Sequence, residues 1–226
     1  MEEIIRLEHA VKEYDDGYKK TIKALDIEDL RINNGEFIVV LGRSGSGKST
    51  LLNVIGSQCE LTSGDVYYKE QSYKKMKDKE RASLRADKFG YVFQSYCIVP
   101  HYTVYQNIEL AMIVAGNRLK GKEKKERISY CAKSAGIEDL LYKKVERISG
   151  GEKQRCAIAR AMVNDPEIIL ADEPTGALDV KTGEAVLELF RELNKQGKTV
   201  VIVTHNASFT QYADRTIELS DGRIKM

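Results

Sequence analysis

The chain has no tryptophan, three prolines, three histidines and four cysteines in 226 residues. Cys59, Cys97, Cys131 and Cys156 are scattered and form no Cys-x-x-Cys pair, which argues against a zinc site and fits reduced thiols in a cytoplasmic protein. No apolar run approaches the roughly 18 residues of a membrane span. Met1-Glu2-Glu3-Ile4 does not open a signal peptide, so any membrane role is expected to come through a partner. Neither sign of charge dominates. The net charge is +2, which gives no electrostatic case for nucleic acid. Two lysine-rich stretches, Lys69–Arg81 and Arg118–Arg127, have acids interleaved and read as solvated helix or linker rather than as sites for an anionic partner. The composition, 42% hydrophobic and 31% charged, is that of a soluble globular protein. The length suits one large α/β domain with room for a helical lobe.

The chain is organised around Gly42-Arg43-Ser44-Gly45-Ser46-Gly47-Lys48-Ser49, which has P-loop spacing. The unbroken apolar run Phe37–Leu41 before it reads as a strand buried on both faces of a parallel sheet. Thr50–Ile55 after it starts like a helix. Strand, glycine-rich turn and helix are the context the motif needs. Glycines and small serines let backbone N–H groups turn inward around phosphate oxygens, and the helix N-terminus adds partial positive charge. Lys48 is expected on the β- and γ-phosphates and the Ser49 hydroxyl on Mg²⁺.

Two more apolar runs have the same character. Ile168–Asp172 ends in the carboxylates Asp172 and Glu173, and Thr199–Thr204 is followed by His205. Ligands of open parallel sheets bind at the carboxyl ends of strands. Asp172 is therefore a candidate Mg²⁺ ligand. Glu173 is a candidate general base, a role worth about 10²–10⁴ in rate. Gln94, closing the apolar stretch Phe89–Phe93, and His205 suit orientation of water and stabilisation of developing charge. His9 and His101 lack such a context. Residues 4–8 and 24–32 read as short strands, with Ile4, Arg6 and Glu8 on one face, Ile5 and Leu7 on the other, and Val11–Gly17 a polar loop. From about Ser95 to Val163 the pattern turns helical, Lys181–Gln196 is a further helix, and Ser220-Asp221-Gly222-Arg223 is a hairpin turn. Alternating strands and helices imply a mostly parallel sheet.

With Ser149-Gly150-Gly151-Glu152 before the helix Lys153–Ala161, the sequence resembles the ABC-transporter ATPases over about residues 4–225. The resemblance implies an α/β P-loop NTPase with a RecA-like core (about 1–94 and 164–226). It adds a small antiparallel β part (near 1–34 and 64–69) and a helical subdomain (about 95–163). It implies ATP and Mg²⁺ as ligands and a head-to-tail homodimer in which each signature loop, Ser149–Glu152, closes over the other subunit's ATP. Tyr14 would stack on adenine and Gln94 would serve as the Q-loop, near Mg²⁺. Ala177-Leu178-Asp179 would form the D-loop and His205 the switch histidine. Ile148 and Glu152 stand where leucine and glutamine are commoner. The stretches Ser44–Gly56 and Leu170–Asp179 further resemble the MacB/LolD-type branch, whose permeases are FtsX-like. That implies a subunit attached to the inner face of the membrane through a permease docked on residues 95–105. A cell-division signalling ATPase with an FtsX-like partner is the alternative. A DNA-associated ATPase fits less well, because only about 100 residues, without heptads or paired cysteines, separate P-loop and signature loop. A ribosome-binding ABC factor would need two P-loops, and an inert module would not need Lys48, Asp172, Glu173 and His205 intact. The chain ends at the hairpin, so no added regulatory domain is expected.

Overall fold

The computed structural model describes residues 2–15, 17 and 21–225. Two long antiparallel strands open the chain, β1 (Glu3–Asp15) and β2 (Thr21–Asn33), of 13 residues each. They are longer than the alternating pattern suggested. Val11–Asp15 continues β1 instead of forming a loop, while Asp16 lies outside the described residues. The outer halves of this ribbon are held by backbone pairing and bury little, so no two-residue hydrophobic period marks them. Ile4 also departs from the alternation read in the sequence. The pairing slips between Glu3 and Ile5, and Ile4 and Ile5 are both fully buried in one cluster. With β4 (Ser63–Tyr68) and β5 (Gln71–Ser72) the ribbon forms a four-stranded sheet of order β2-β1-β4-β5.

The second sheet is made by β3 (Phe37–Leu41), β6 (Phe89–Val92), β7 (Ile168–Asp172), β8 (Thr199–Thr204), β9 (Arg215–Ser220) and β10 (Arg223–Lys225). Its order is β10-β9-β3-β8-β7-β6, and only the terminal β10 runs antiparallel to its neighbour. Side chains alternate between two cores. Phe37, Val39, Ile169, Ala171, Val200 and Ile202 face a helical cluster. Ile38, Val40, Ile168, Leu170, Val201 and Val203 face the antiparallel sheet and α1 (Lys48–Ile55).

The helical cluster contains α3 (Val104–Val114), α4 (Gly121–Ser134), α5 (Gly150–Met162) and α6 (Val180–Lys195). Residues 95–103 are not helical, contrary to the pattern reading. Tyr96 and Cys97 hold left-handed φ values of 61° and 46°, which no continuing helix accepts. On α6 the innermost residues are Val186 and Phe190, with Ala185 only half-buried.

The lysine-rich stretch after β4 contributes a turn with a buried Tyr73 and then α2 (Asp78–Lys88). The last carbonyls of α1 are capped from this side. The Tyr73 hydroxyl donates to Ile55 O at 2.8 Å, Tyr91 donates to Gly56 O, and Arg85 donates to Ser57 O at 3.0 Å. Glu167, just before β7, joins both sheets. It pairs with Lys88 at 2.7 Å and Lys69 at 3.0 Å.

Burial opposes ionisation of Glu167, but Lys88, the nearby Tyr68 hydroxyl and Lys69 outweigh it and hold the carboxyl down at about 2. A carboxyl depressed in the folded state stabilises above its unfolded value, about 4.5, and loses that contribution as pH falls toward about 2. Urea midpoints of the protein and of Glu167→Gln are therefore expected to differ at neutral pH and to converge in acid. A separation that stays constant with pH would show that this carboxylate contributes nothing through its charge.

Candidate functional site

The P-loop leaves β3 at Leu41 and enters α1 at Lys48. Gly45 and Gly47 take φ values of 79° and 101°. A Cβ at Gly47 would lie 2.3 Å from Ala24 O of β2, so only glycine fits there. Gly47 caps α1 without a side-chain acceptor, and no acid stands in the first turn. The free N–H groups and the positive end of the helix dipole are thus uncompensated by the chain itself. Ser46 Oγ is buried and has no partner among the described residues. Lys48 is buried, and its ammonium donates to Gly42 O at 2.8 Å and Arg43 O at 3.0 Å. Arg43 and Ser44 lie exposed at the rim, and the Ser49 hydroxyl faces Asp172. This donor set, rich in N–H and poor in acceptors, suits a polyphosphate.

The carboxylates stand at the carboxyl end of β7. Glu173 follows the strand with φ 44°, while its N–H still donates to Val203 O at 2.9 Å. This left-handed turn accompanies two contacts of the side chain to the neighbouring strand. Glu173 Oε2 accepts from Thr204 Oγ1 at 2.9 Å, and Oε1 lies 2.9 Å from His205 Nδ1. Lys48 Nζ is 3.8 Å from the same Oε1. Burial pushes the Asp172 carboxyl up, Ser49 opposes it, the neighbouring Glu173 charge adds to it, and Lys48 opposes it. Two adjacent carboxylates, one in a site that disfavours its charge, fit a cation between them and a phosphate. Among the described residues no group of three or more His, Cys, Asp or Glu could hold a metal alone. A divalent ion here would draw further ligands from phosphate and water.

Gln94 does not end a strand: β6 stops at Val92 and Gln94 sits in the turn beyond, exposed, with its amide against Gly176. Ser149–Glu152 caps α5. Ser149 Oγ accepts from Glu152 N–H at 3.3 Å, and Glu152 reaches back to Ser149 N–H at 2.7 Å. Its neighbours come from the turn before α6, from the first turn of α6 and from the segment after Gln94. A Cβ on Gly151 would meet Thr182 Cγ2 at 2.4 Å, and one on Gly150 would lie 3.3 Å from the Tyr96 hydroxyl and 3.7 Å from Leu178. Asp179 caps α6 through Thr182 N–H at 3.0 Å. Ala177 lies between, in the turn leading to that cap.

Comparison with known proteins agrees with this geometry. Residues 25–176 match the model of the family described as ABC transporter. The chain is 43% identical over 225 residues to an uncharacterized ABC transporter ATP-binding protein of Thermotoga maritima, covering 100% of this chain and 95% of the relative. A solved structure described as dimeric MJ0796, a bacterial ABC transporter cassette, superposes with a TM-score of 0.90 at 42% identity, covering 99% of this chain and 97% of that one. The macrolide export ATP-binding/permease protein MacB of Psychrobacter cryohalolentis is 38% identical over 98% of this chain, which spans 33% of that larger protein. The chain belongs to the ABC transporter family. It is an ABC ATPase with the α/β P-loop NTPase fold.

Several residues around this site carry no motif signal in the sequence. Thr204, the last residue of β8, holds Glu173. Arg160, in an alanine-rich stretch of α5, donates to the carbonyls of Tyr96 (2.8 Å) and Cys97. Fully buried Asn107 receives Val99 N–H at 2.7 Å and donates to Val99 O at 3.1 Å and Thr103 O at 3.0 Å. Neither has a spacing signal, because each acts on backbone far from it in sequence or around a turn. Tyr14 lies near the end of β1 and is 42% exposed. Its hydroxyl is 3.5 Å from Cys59 Sγ and near Thr50, and the Lys12 ammonium lies over its ring at 4.9 Å.

Gly176→Ala tests the seat of Gln94. The added Cβ would lie 3.0 Å from Gln94 Nε2 and 3.4 Å from Glu173 O, so the amide must shift. A small misplacement near a reacting centre is costly, and turnover is expected to fall about tenfold with nucleotide affinity nearly unchanged. Steady-state ATPase kinetics with a nucleotide-binding titration check it; unaltered turnover would free Gln94 from any fixed geometry.

Proposed function

We propose that this ATPase works as a head-to-tail homodimer driving an FtsX/MacB-like membrane permease, with Glu173 as general base. The observation that carries the catalytic part is the Glu173 carboxylate, 2.9 Å from both Thr204 Oγ1 and His205 Nδ1 and 3.8 Å from Lys48 Nζ. Gln94 orients the attacking water and Glu173 takes its proton as the water oxygen bonds the γ-phosphorus. The bond from that phosphorus to the bridging oxygen breaks and ADP leaves. Lys48, the P-loop N–H groups of Gly45–Ser49 and His205 meet the charge on the phosphoryl oxygens. Ser49, Asp172 and Gln94 would hold Mg²⁺, which neutralises phosphate charge when bound. Tyr14 offers the adenine a stacking face beside Thr50. The solved structure of MJ0796 bound to ADP and Pi, described as dimeric and post-hydrolysis, is 40% identical to this chain and supports the dimer reading. The same pairing assigns Ser149–Glu152 and Ala177–Asp179 to the partner's nucleotide.

Among the described residues no helix is long and apolar enough to cross a membrane. The proposed permease therefore supplies the membrane anchor, on the cytoplasmic side. Its docking site is a cavity of about 320 Å³ beside the segment after Gln94, lined by Phe93, Cys97, Leu110 and Val114. Val114 and Ile113 are 77% and 64% exposed, and Tyr102 is 42% exposed. Tyr96, Ile98, Val99 and Tyr105 are half-buried, with Ile98 and Tyr105 packed on the helical core.

Glu173→Gln is expected to retain ATP binding, to lose about 10²–10⁴ in turnover and to accumulate as an ATP-bound dimer on size exclusion. A loss below about threefold would remove Glu173 as the base. Val114→Asp is expected to leave basal ATPase in place while abolishing co-purification with, and stimulation by, a co-expressed permease of the FtsX/MacB type. Normal stimulation of that variant would move the docking site elsewhere.

A further inference from the structure

Glu152 is a carboxylate inside the segment that the dimer proposed above places on the partner's phosphate. Its Oε2 accepts from the Ser149 hydroxyl at 2.8 Å and from Ser149 N–H at 2.7 Å, while its own N–H donates to Ser149 Oγ at 3.3 Å. Three donors at the start of α5 are thereby satisfied within the chain, two of them by a negative charge. The same interactions hold its carboxyl below the usual carboxylate range, so the charge persists. Lys143 is the basic group that reaches it electrostatically, without a hydrogen bond or ion pair between the two among the described residues. Ser149 is exposed and Gly150, Gly151 and Glu152 are half-buried, so the carboxylate stands at the surface the loop would present to a second subunit.

The P-loop gives the contrast. Its helix begins without a side-chain cap and without an acid in the first turn, leaving its donors open to an anion. The signature helix begins with an acid already bonded to its cap. A phosphate approaching it must displace the carboxylate from the Ser149 hydroxyl and meet a like charge, which opposes association across the interface.

We propose that Glu152 is a built-in competitor for the phosphate site of the signature loop, one that weakens ATP-driven pairing of two chains and so restrains turnover. This rests on the head-to-tail pairing proposed above. Glutamine at this position keeps an oxygen for the Ser149 N–H, so the cap survives while the charge is lost. Glu152→Gln separates the two roles.

The experiment compares Glu173→Gln with Glu152→Gln/Glu173→Gln, both stalled before hydrolysis, by sedimentation velocity over a range of protein concentrations with ATP. Pairing is expected at a protein concentration lower by about tenfold in the double variant, because a like charge has been removed from the interface. The advantage should shrink as salt is raised, since screening weakens the repulsion. Thermal unfolding without nucleotide should be the same for both. Equal or weaker pairing in the double variant overturns the proposal and leaves Glu152 as a helix cap. An advantage that does not respond to salt overturns the charge argument. A mixed variant, Glu152→Ala/Glu173→Gln, loses cap and charge together; if Glu152 is a competitor it still pairs more tightly than Glu173→Gln although it melts earlier. Absence of ATP-dependent pairing in Glu173→Gln itself defeats the dimer reading, a different failure from equal pairing in the two proteins.

Discussion

Everything in the site depends on the register of three buried parallel strands. Leu41 of β3 lies beside Thr204 of β8, and Val203 of β8 lies beside Asp172 of β7. The three strands end level with one another. The P-loop, the acidic pair and His205 leave the sheet at one height. A slip of one residue would exchange the two cores, turning Ile38 and Val40 toward the helices and Phe37 and Val39 toward the antiparallel sheet. Burial on both faces fixes the register, and the register brings Lys48, Glu173 and His205 within contact.

The antiparallel sheet and the helices support that edge from opposite sides. Ala24 of β2 closes against Gly47, which leaves no room behind the P-loop for a side chain. On the other side, α5 begins at the Ser149–Glu152 capping box and, through Arg160, grips the chain just after Gln94. The site is therefore built from backbone positions that the two cores hold, with few side chains free to adjust.

Continuous buried runs made β3, β7 and β8 legible, because a strand covered on both faces must be apolar throughout. The ends of those runs exposed Lys48, Asp172, Glu173 and His205. The long β1–β2 ribbon was only half legible: beyond Lys12 its pairing is backbone to backbone and leaves no hydrophobic period. The non-helical segment 95–103 is not legible in the sequence, because its conformation is imposed from outside. Asn107 and Arg160 hold it, and composition carries no trace of hydrogen bonds to main-chain carbonyls. The contact of Gln94 with Gly176 is likewise a meeting of distant loops, invisible to local spacing.

Tyr96 and Cys97 have a mechanical consequence. Both are left-handed, and neither is glycine, so each carries strain of about 1–3 kcal/mol. Arg160 retains them in that state through two carbonyls and forms no ion pair with any carboxylate among the described residues. Asn107 adds a second hold at Val99, so this strained backbone is retained by hydrogen bonds from two different helices. Relief of that strain would offset part of the cost of breaking the Arg160 contacts beside Gln94.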